Sequence, residues 1–200
     1  MGKEDALART LVAKAQTAEQ IRDLCKRTIG DVKSLPQEQK EKAARMLAAI
    51  MASGVDFQKA LVREGCINPL VSLIKDGFDG GQIAAASALA DLSDEEGERG
   101  QRYRAAIAAA GGLQPLVALL RNGSNKASMQ AAAAIASLSM EDENKRPLVK
   151  AGALAPLVRL LREGTDDAKM VRAATARMKV SYVKTFAWRS YTSRLCLSCA

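Results

Sequence analysis

Apolar side chains recur along this chain three and four residues apart, in short blocks divided by Gly, Pro or acidic turns, which is the period of amphipathic helices. The block Pro69-Leu70-Val71-Ser72-Leu73-Ile74, framed by Gly65 and Gly77, returns as Pro115-Leu116-Val117-Ala118-Leu119-Leu120 between Gly111 and Gly123. It returns again as Pro156-Leu157-Val158-Arg159-Leu160-Leu161 between Gly152 and Gly164. The copies are 46 and then 41 residues apart. Helical self-similarity at such a period predicts an all-α solenoid, in which each unit buries its apolar face only against its neighbours.

Each unit reads as three helices. A short first helix ends at Gly65, Gly111 or Gly152, where glycine supplies the positive φ that closes a helix at little cost. The second helix follows at once with its Pro in the first turn, where a missing N–H matters least, and stops at the next Gly. The third is Ala-rich: Leu89 and Leu92 in one copy match Ile135 and Leu138 in the next, three apart as a buried face requires. Ser93 with Glu96, and Ser139 with Asp142, have the spacing of capping boxes, so the acidic loops are expected to be helix starts. The five extra residues of the longer spacing fall between Ser93 and Gly111, around Gly97-Glu98-Arg99-Gly100, and are expected in an inter-repeat loop.

Upstream, Ser34-Leu35-Pro36-Gln37 opens a helix through Ala43, Met46, Leu47 and Ile50, spaced like the third helix of a unit. Thr17 and Gln20 form one more capping box, dividing residues 3–16 from 18–29. The expected organisation is a degenerate N-terminal repeat or cap over residues 1–37, repeats over 38–181, and a distinct segment over 182–200. That segment holds Tyr182, Phe186, Trp188 and Tyr191, four of the seven aromatics in the chain. Three readings of it stand: a cap folded back on the last layer, a disordered basic tail touching nucleic acid or an anionic surface, or an altered terminus. The cap and the altered terminus stand about level, above the tail, and Arg177, which takes a position that is Leu89 or Ile135 in other copies, argues against a well-built final repeat.

Composition narrows the function. The net charge is +8, but residues 177–200 hold Arg177, Lys179, Lys184, Arg189 and Arg194 with no acid, which leaves +3 for residues 1–176. The repeat body is near neutral, which argues against a phosphate-binding stripe there. Four cysteines without a secretory signal point to the cytosol, with the nucleus as the alternative, and Cys25 and Cys66 read as small buried hydrophobes. Cys196 and Cys199 have metal or redox spacing but no second pair, and the chain contains no His to complete a site. Without His the commonest general base and the usual nucleophile pairs are missing. Gly80-Gly81 precedes a helix with neither a strand before it nor a Gly-Lys-Ser/Thr motif, and Asp166-Asp167 fits a helix start. No catalytic residue, cofactor or metal is expected. No apolar run reaches the ~20 residues needed to span a bilayer.

The element order, with Gly-x-x-x-Pro-Leu-Val-x-Leu-Leu-x-x-Gly and an Ala-rich helix ending in Leu-Ser, resembles the armadillo repeat over roughly residues 38–181. HEAT repeats are the nearest competitor, but they use two helices. The resemblance implies a right-handed α-solenoid of about three to four three-helix units. Its third helices would line a concave groove that binds extended segments of other proteins. Importin-α-like members grip basic peptides with a Trp and Asn ladder. Here the Asn-like positions hold Ala49, Asp91, Ser137 and Lys179, and the Trp-like positions hold Arg45, Ser87, Ala133 and Thr175. The ladder is absent, so the resemblance favours catenin-like or vacuolar-adaptor-like scaffolds over an import receptor. Adaptors of the second kind often carry a lipidated N-terminus, for which Met1-Gly2 fits and Ala6 does not.

On that frame the candidate partner-binding residues are Lys42, Arg45, Ser87, Asp91, Lys126, Ala133, Ser137, Arg172, Thr175 and Lys179. Lys42 and Arg45 at one end and Arg172 and Lys179 at the other would suit an extended acidic segment held by its charges. The expected protein is a monomeric, non-catalytic adaptor or scaffold. Its alternatives are nucleic-acid or anionic-surface binding through the basic tail, and a fragment of a larger armadillo protein.

Overall fold

In the computed structural model, residues 18–34 and 36–162 are described, together with Thr10. They form ten α-helices, with no strand among the described residues. These are α1 (Ala18–Ser34), α2 (Gln37–Met51), α3 (Val55–Arg63), α4 (Ile67–Asp76), α5 (Asp79–Ser93), α6 (Gly97–Ala109), α7 (Leu113–Asn122), α8 (Asn125–Leu138), α9 (Asp142–Lys150) and α10 (Leu154–Arg162). Helices α3–α5 and α6–α8 are two complete three-helix units, and α9 and α10 open a third. Residues 163–200, with Arg172, Thr175, Lys179 and the basic aromatic segment, lie outside the described residues, as do Thr17 and most of residues 3–16.

The three-helix unit follows from local chemistry. Gly65, Gly111 and Gly152 have φ of 81°, 73° and 86°, the left-handed region in which a Cβ is strained. Each sits in a paired closure: Gly65 donates its N–H to the Val62 carbonyl at 3.0 Å, and Cys66 donates to Leu61 at 3.1 Å. Gly111 with Gly112, and Gly152 with Ala153, repeat the pattern, which turns the chain straight into the next helix. Pro69 and Pro115 each sit third in their helices, and the first intrahelical bonds come one residue later, Leu70 to Cys66 and Leu116 to Gly112. The prolines therefore remove donors that had no helical partner.

Gly77 and Gly123 end the second helices for a different reason, since their backbones are extended, with φ of −81° and −74°. A Cβ on Gly77 would run into the Leu73 carbonyl, and one on Gly123 would lie 2.6 Å from that of Leu119. Close approach, not handedness, demands glycine there.

Three expectations are corrected. Ser93 and Ser139 do not cap the helices that follow. Each hydroxyl donates back to its own helix, to Ala90 at 3.0 Å and Ala136 at 2.6 Å, and the N-cap positions fall on Glu96 and Glu141. A serine in a last helical turn finds the carbonyl three residues back closer than any donor ahead. The insertion, in turn, is not a loop. The connections Asp94–Glu96 and Ser139–Glu141 are equally long, whereas α6 has 13 residues against nine in α3 and α9. Four of the extra residues add a turn to α6, and the fifth falls in α5, which has 15 residues to the 14 of α8. At the N-terminus, α1 runs on to Ser34, beyond the expected end at residue 29. Gly80 and Gly81 lie inside the first turn of α5.

Packing is organised in layers. The third-helix layer is α2, α5 and α8, each against the next, and α1 packs on α2, α3 and α4 where an earlier unit would supply its second helix. The core is aliphatic and Ala-lined, with Leu47, Ile50, Leu89, Leu92, Ile135 and Leu138 fully enclosed. Phe57 and Tyr103 are its buried aromatics among the described residues. The carbonyls left open at helix ends are answered by side chains of the next helix. Gln58 of α3 reaches the Met51 carbonyl (3.3 Å), Arg104 of α6 that of Ser93 (2.9 Å) and Asn144 of α9 that of Leu138 (3.0 Å). Likewise Gln82 donates to Ile74 at 3.0 Å, and the equivalent Ser128 donates to Gly123 at 3.3 Å.

Candidate peptide-binding face

The outward strip of the third-helix layer is set by the same register that fills the core. On α5 it runs Ile83, Ser87 and Asp91 and continues to Asp94 at the helix end, and on α8 it runs Met129, Ala133 and Ser137 and continues to Met140 just past the helix, with every pair 46 residues apart. Steps of three and four keep each set on one side of its helix. Ile83, Ser87, Met129 and Ala133 are half-buried and Asp91 and Asp94 are exposed, while Met140 is 47% exposed despite its apolar side chain. On α2, Lys42 and Arg45 are exposed and Ala49 is half-buried. Lys126, in the first turn of α8, is exposed.

Seven of the ten sequence-predicted residues thus fall on three helices of one stacked layer, and Arg172, Thr175 and Lys179 lie outside the described residues. Ser137 differs from its expected role. It is 5% exposed, and its hydroxyl donates to Asp94 Oδ1 at 3.1 Å, so it joins α8 to the end of α5. A second tie joins the same helices at their starts, where Ser124 donates to Asp79 Oδ1 at 2.6 Å while accepting from the Ala127 N–H at 3.3 Å. The strip on α5 and α8 is held at both ends.

Asp91 makes no hydrogen bond or ion pair with any described residue. Loss of water around it, and then the charge of Asp94, raise its carboxyl above the usual carboxylate range. Sequence reasoning named Asp91 but missed Asp94, Met129, Met140 and Ile83. The signal for all four was the same three-and-four spacing once Ser87 and Asp91 had been placed on the face.

Other features are structural. Arg104 is 4% exposed and spans three segments, donating to Ser93 (2.9 Å) and Glu95 (3.0 Å) carbonyls and through Nε to Glu141 Oε1 at 2.7 Å. Cys66 is a buried free thiol. An open cleft of about 600 Å³ lies between α4 and α7, lined in part by Ile74, Gln82, Gln114, Pro115 and Leu119. The described residues contain no cluster of three or more metal-ligating side chains, and no single helix among them is long and apolar enough to cross a membrane.

A layer of third helices backed by Gly-closed first helices and Pro-started second helices defines a helical-repeat protein of the armadillo class. The armadillo/beta-catenin-like repeat matches residues 55–94, 100–140 and 141–176, together more than half of the chain. The chain belongs to that family. Among solved structures, it is 26% identical to a designed armadillo repeat protein in complex with the peptide (KR)4, covering 90% of this chain and 80% of that one with a TM-score of 0.71. A computationally designed armadillo repeat protein for modular peptide recognition is 27% identical, covering 94% and 84%, with a TM-score of 0.72. A further designed armadillo repeat protein is 28% identical, covering 86% and 74%, with a TM-score of 0.70. No curated protein sequence is significantly similar to this chain.

Proposed function

We propose that this protein is a non-catalytic adaptor or scaffold that binds an extended segment of a partner protein across α2, α5 and α8. The observation that carries this reading is the strip itself. Equivalent positions on α5 and α8 hold small, polar and methionine side chains along the solvent edge of the core, half-buried at Ser87, Met129 and Ala133 and exposed at Asp91, Asp94 and Met140. Extended segments suit such a surface because they meet successive helices without having to fill a pocket. Designed relatives that bind peptides support it. A chain without histidine also lacks the commonest acid–base group, which fits binding better than catalysis. The reading places the protein in the cytosol or nucleus as a monomer.

Peptides selected from a random display library against the full chain test it. Each is then measured on the double variant Ser87→Arg/Ala133→Arg, which crowds the strip, and on Gln114→Arg, which alters the cleft instead. Binding should be lost on the first and kept on the second. Equal binding to all three proteins removes the third-helix face from the reading. Circular dichroism of each variant checks that the helices are intact.

A further inference from the structure

The charge of the strip changes along the layer. Lys42 and Arg45 are the exposed strip residues of α2, whereas α5 presents Asp91, with Asp94 at its end, on one side of the helix. Lys126 cannot neutralise them, because it sits 11 residues before Ser137, the counterpart of Asp91, or about 16 Å along the helix axis. Arg45 lies on α2 at the level of Ser87, a turn before Asp91. Asp94 accepts one hydrogen bond, from Ser137, and Asp91 accepts none among the described residues. Beside these carboxylates lies the exposed Met140, three residues after the Ser137 that binds Asp94, and its flexible thioether accepts apolar side chains of varied shape. An acid pair next to an apolar floor is complementary to one kind of ligand, a cation next to an apolar group.

We propose that the α5–α8 part of the face receives a protein segment in which a lysine or arginine is set against Asp91 and Asp94, with a nearby apolar side chain against Met140. This rests on the peptide-binding reading above and names the chemistry of the segment at one register. An extended segment advances about 3.3 Å per residue. Packed helices lie about 8–10 Å apart, so side chains two or three residues apart in the segment meet successive helices. Ser137 supports the arrangement by fixing Asp94, and the two serine–aspartate ties keep the spacing between α5 and α8 constant before any ligand arrives.

The probes are three labelled nonapeptides, with Lys-Ser-Leu, Glu-Ser-Leu or Gln-Ser-Leu repeated along their length. They are measured by fluorescence anisotropy on the full chain and on Asp91→Asn, with hydrogen exchange locating each contact. The lysine peptide should bind tightest, protect α5 and α8, and lose about tenfold in affinity on Asp91→Asn, the worth of one charge-assisted hydrogen bond. If the glutamate peptide protects α5 and α8 with equal or greater affinity, or if Asp91→Asn leaves the lysine peptide unaffected, the proposal fails while the peptide-binding face stands. If the lysine peptide protects only other helices, or no peptide protects α5 and α8, both fall.

Discussion

An arginine enclosed among aliphatic helices is stable only if its donors are answered, and Arg104 finds two main-chain carbonyls and a carboxylate. Gly100 is part of the same arrangement. A Cβ there would meet Arg104 Nη1 at 2.9 Å as well as the Glu95 carbonyl. Arg104→Ala should therefore cost about 3–4 kcal/mol in urea unfolding, because it strands Glu141 and the Ser93 and Glu95 carbonyls. Glu141→Gln keeps an acceptor and should cost well under half of that. Asp91 titrates in the opposite sense to a salt-bridged acid. Its folded pKa is raised, so between its ordinary and its raised value the folded state holds the proton that the unfolded state has released. Its contribution to stability therefore falls as pH rises through that window. Asp91→Asn should be more stable than the parent at pH 7, and the difference should vanish below the ordinary carboxylate range, as paired urea titrations at the two pH values would show. The type of Arg104 was plain in the sequence but its role was not. A lone charge on a helix reads as solvated until the carbonyls it reaches, 9 and 11 residues earlier, are brought beside it.

Helix ends were the most legible elements and also the place where pattern misled. Gly65, Gly111 and Gly152 were readable because left-handed closure is a property of one residue and its immediate neighbours. Gly111→Ala meets no neighbour and should cost about 1–2 kcal/mol from backbone strain alone. Gly123→Ala should also destabilise, but by collision, so it should displace the α7–α8 connection, visible as amide shifts at Ser124 and Ala127. The serines failed as caps because the competing acceptor three residues back is set by helix geometry, which a four-residue motif does not encode. Pro147 stands inside α9 on an exposed side, where it removes a helical N–H and crowds the preceding turn. Pro147→Ala should raise the thermal midpoint, by about 1–2 kcal/mol of stability once the greater freedom of the unfolded chain is allowed for.

Across the whole molecule, three-helix units and their registers could be read because repetition averages out local ambiguity, and three copies of one pattern outweigh any single misplaced boundary. Which polar residues the layer keeps for itself could not be read. Ser137 and Asp91 occupy equivalent positions, yet one is bonded across units and the other is left open, a difference made by Asp94 on the neighbouring helix. Since α5 lies between α2 and α8, Leu89 is enclosed within the central layer. Leu89→Ala should cost about 3 kcal/mol and loosen hydrogen exchange in all three helices, whereas a change confined to α5 would mean that the layer does not act as one cooperative block. The joint at Arg104 also bears on how such a chain could be recombined. Toward the preceding unit it holds only backbone, which any unit of the same shape can offer, but toward the following unit it needs the Glu141 carboxylate. The middle unit should accept a foreign predecessor freely, and a foreign successor only if that successor brings an acid at the same place, so that modularity in this chain has a direction.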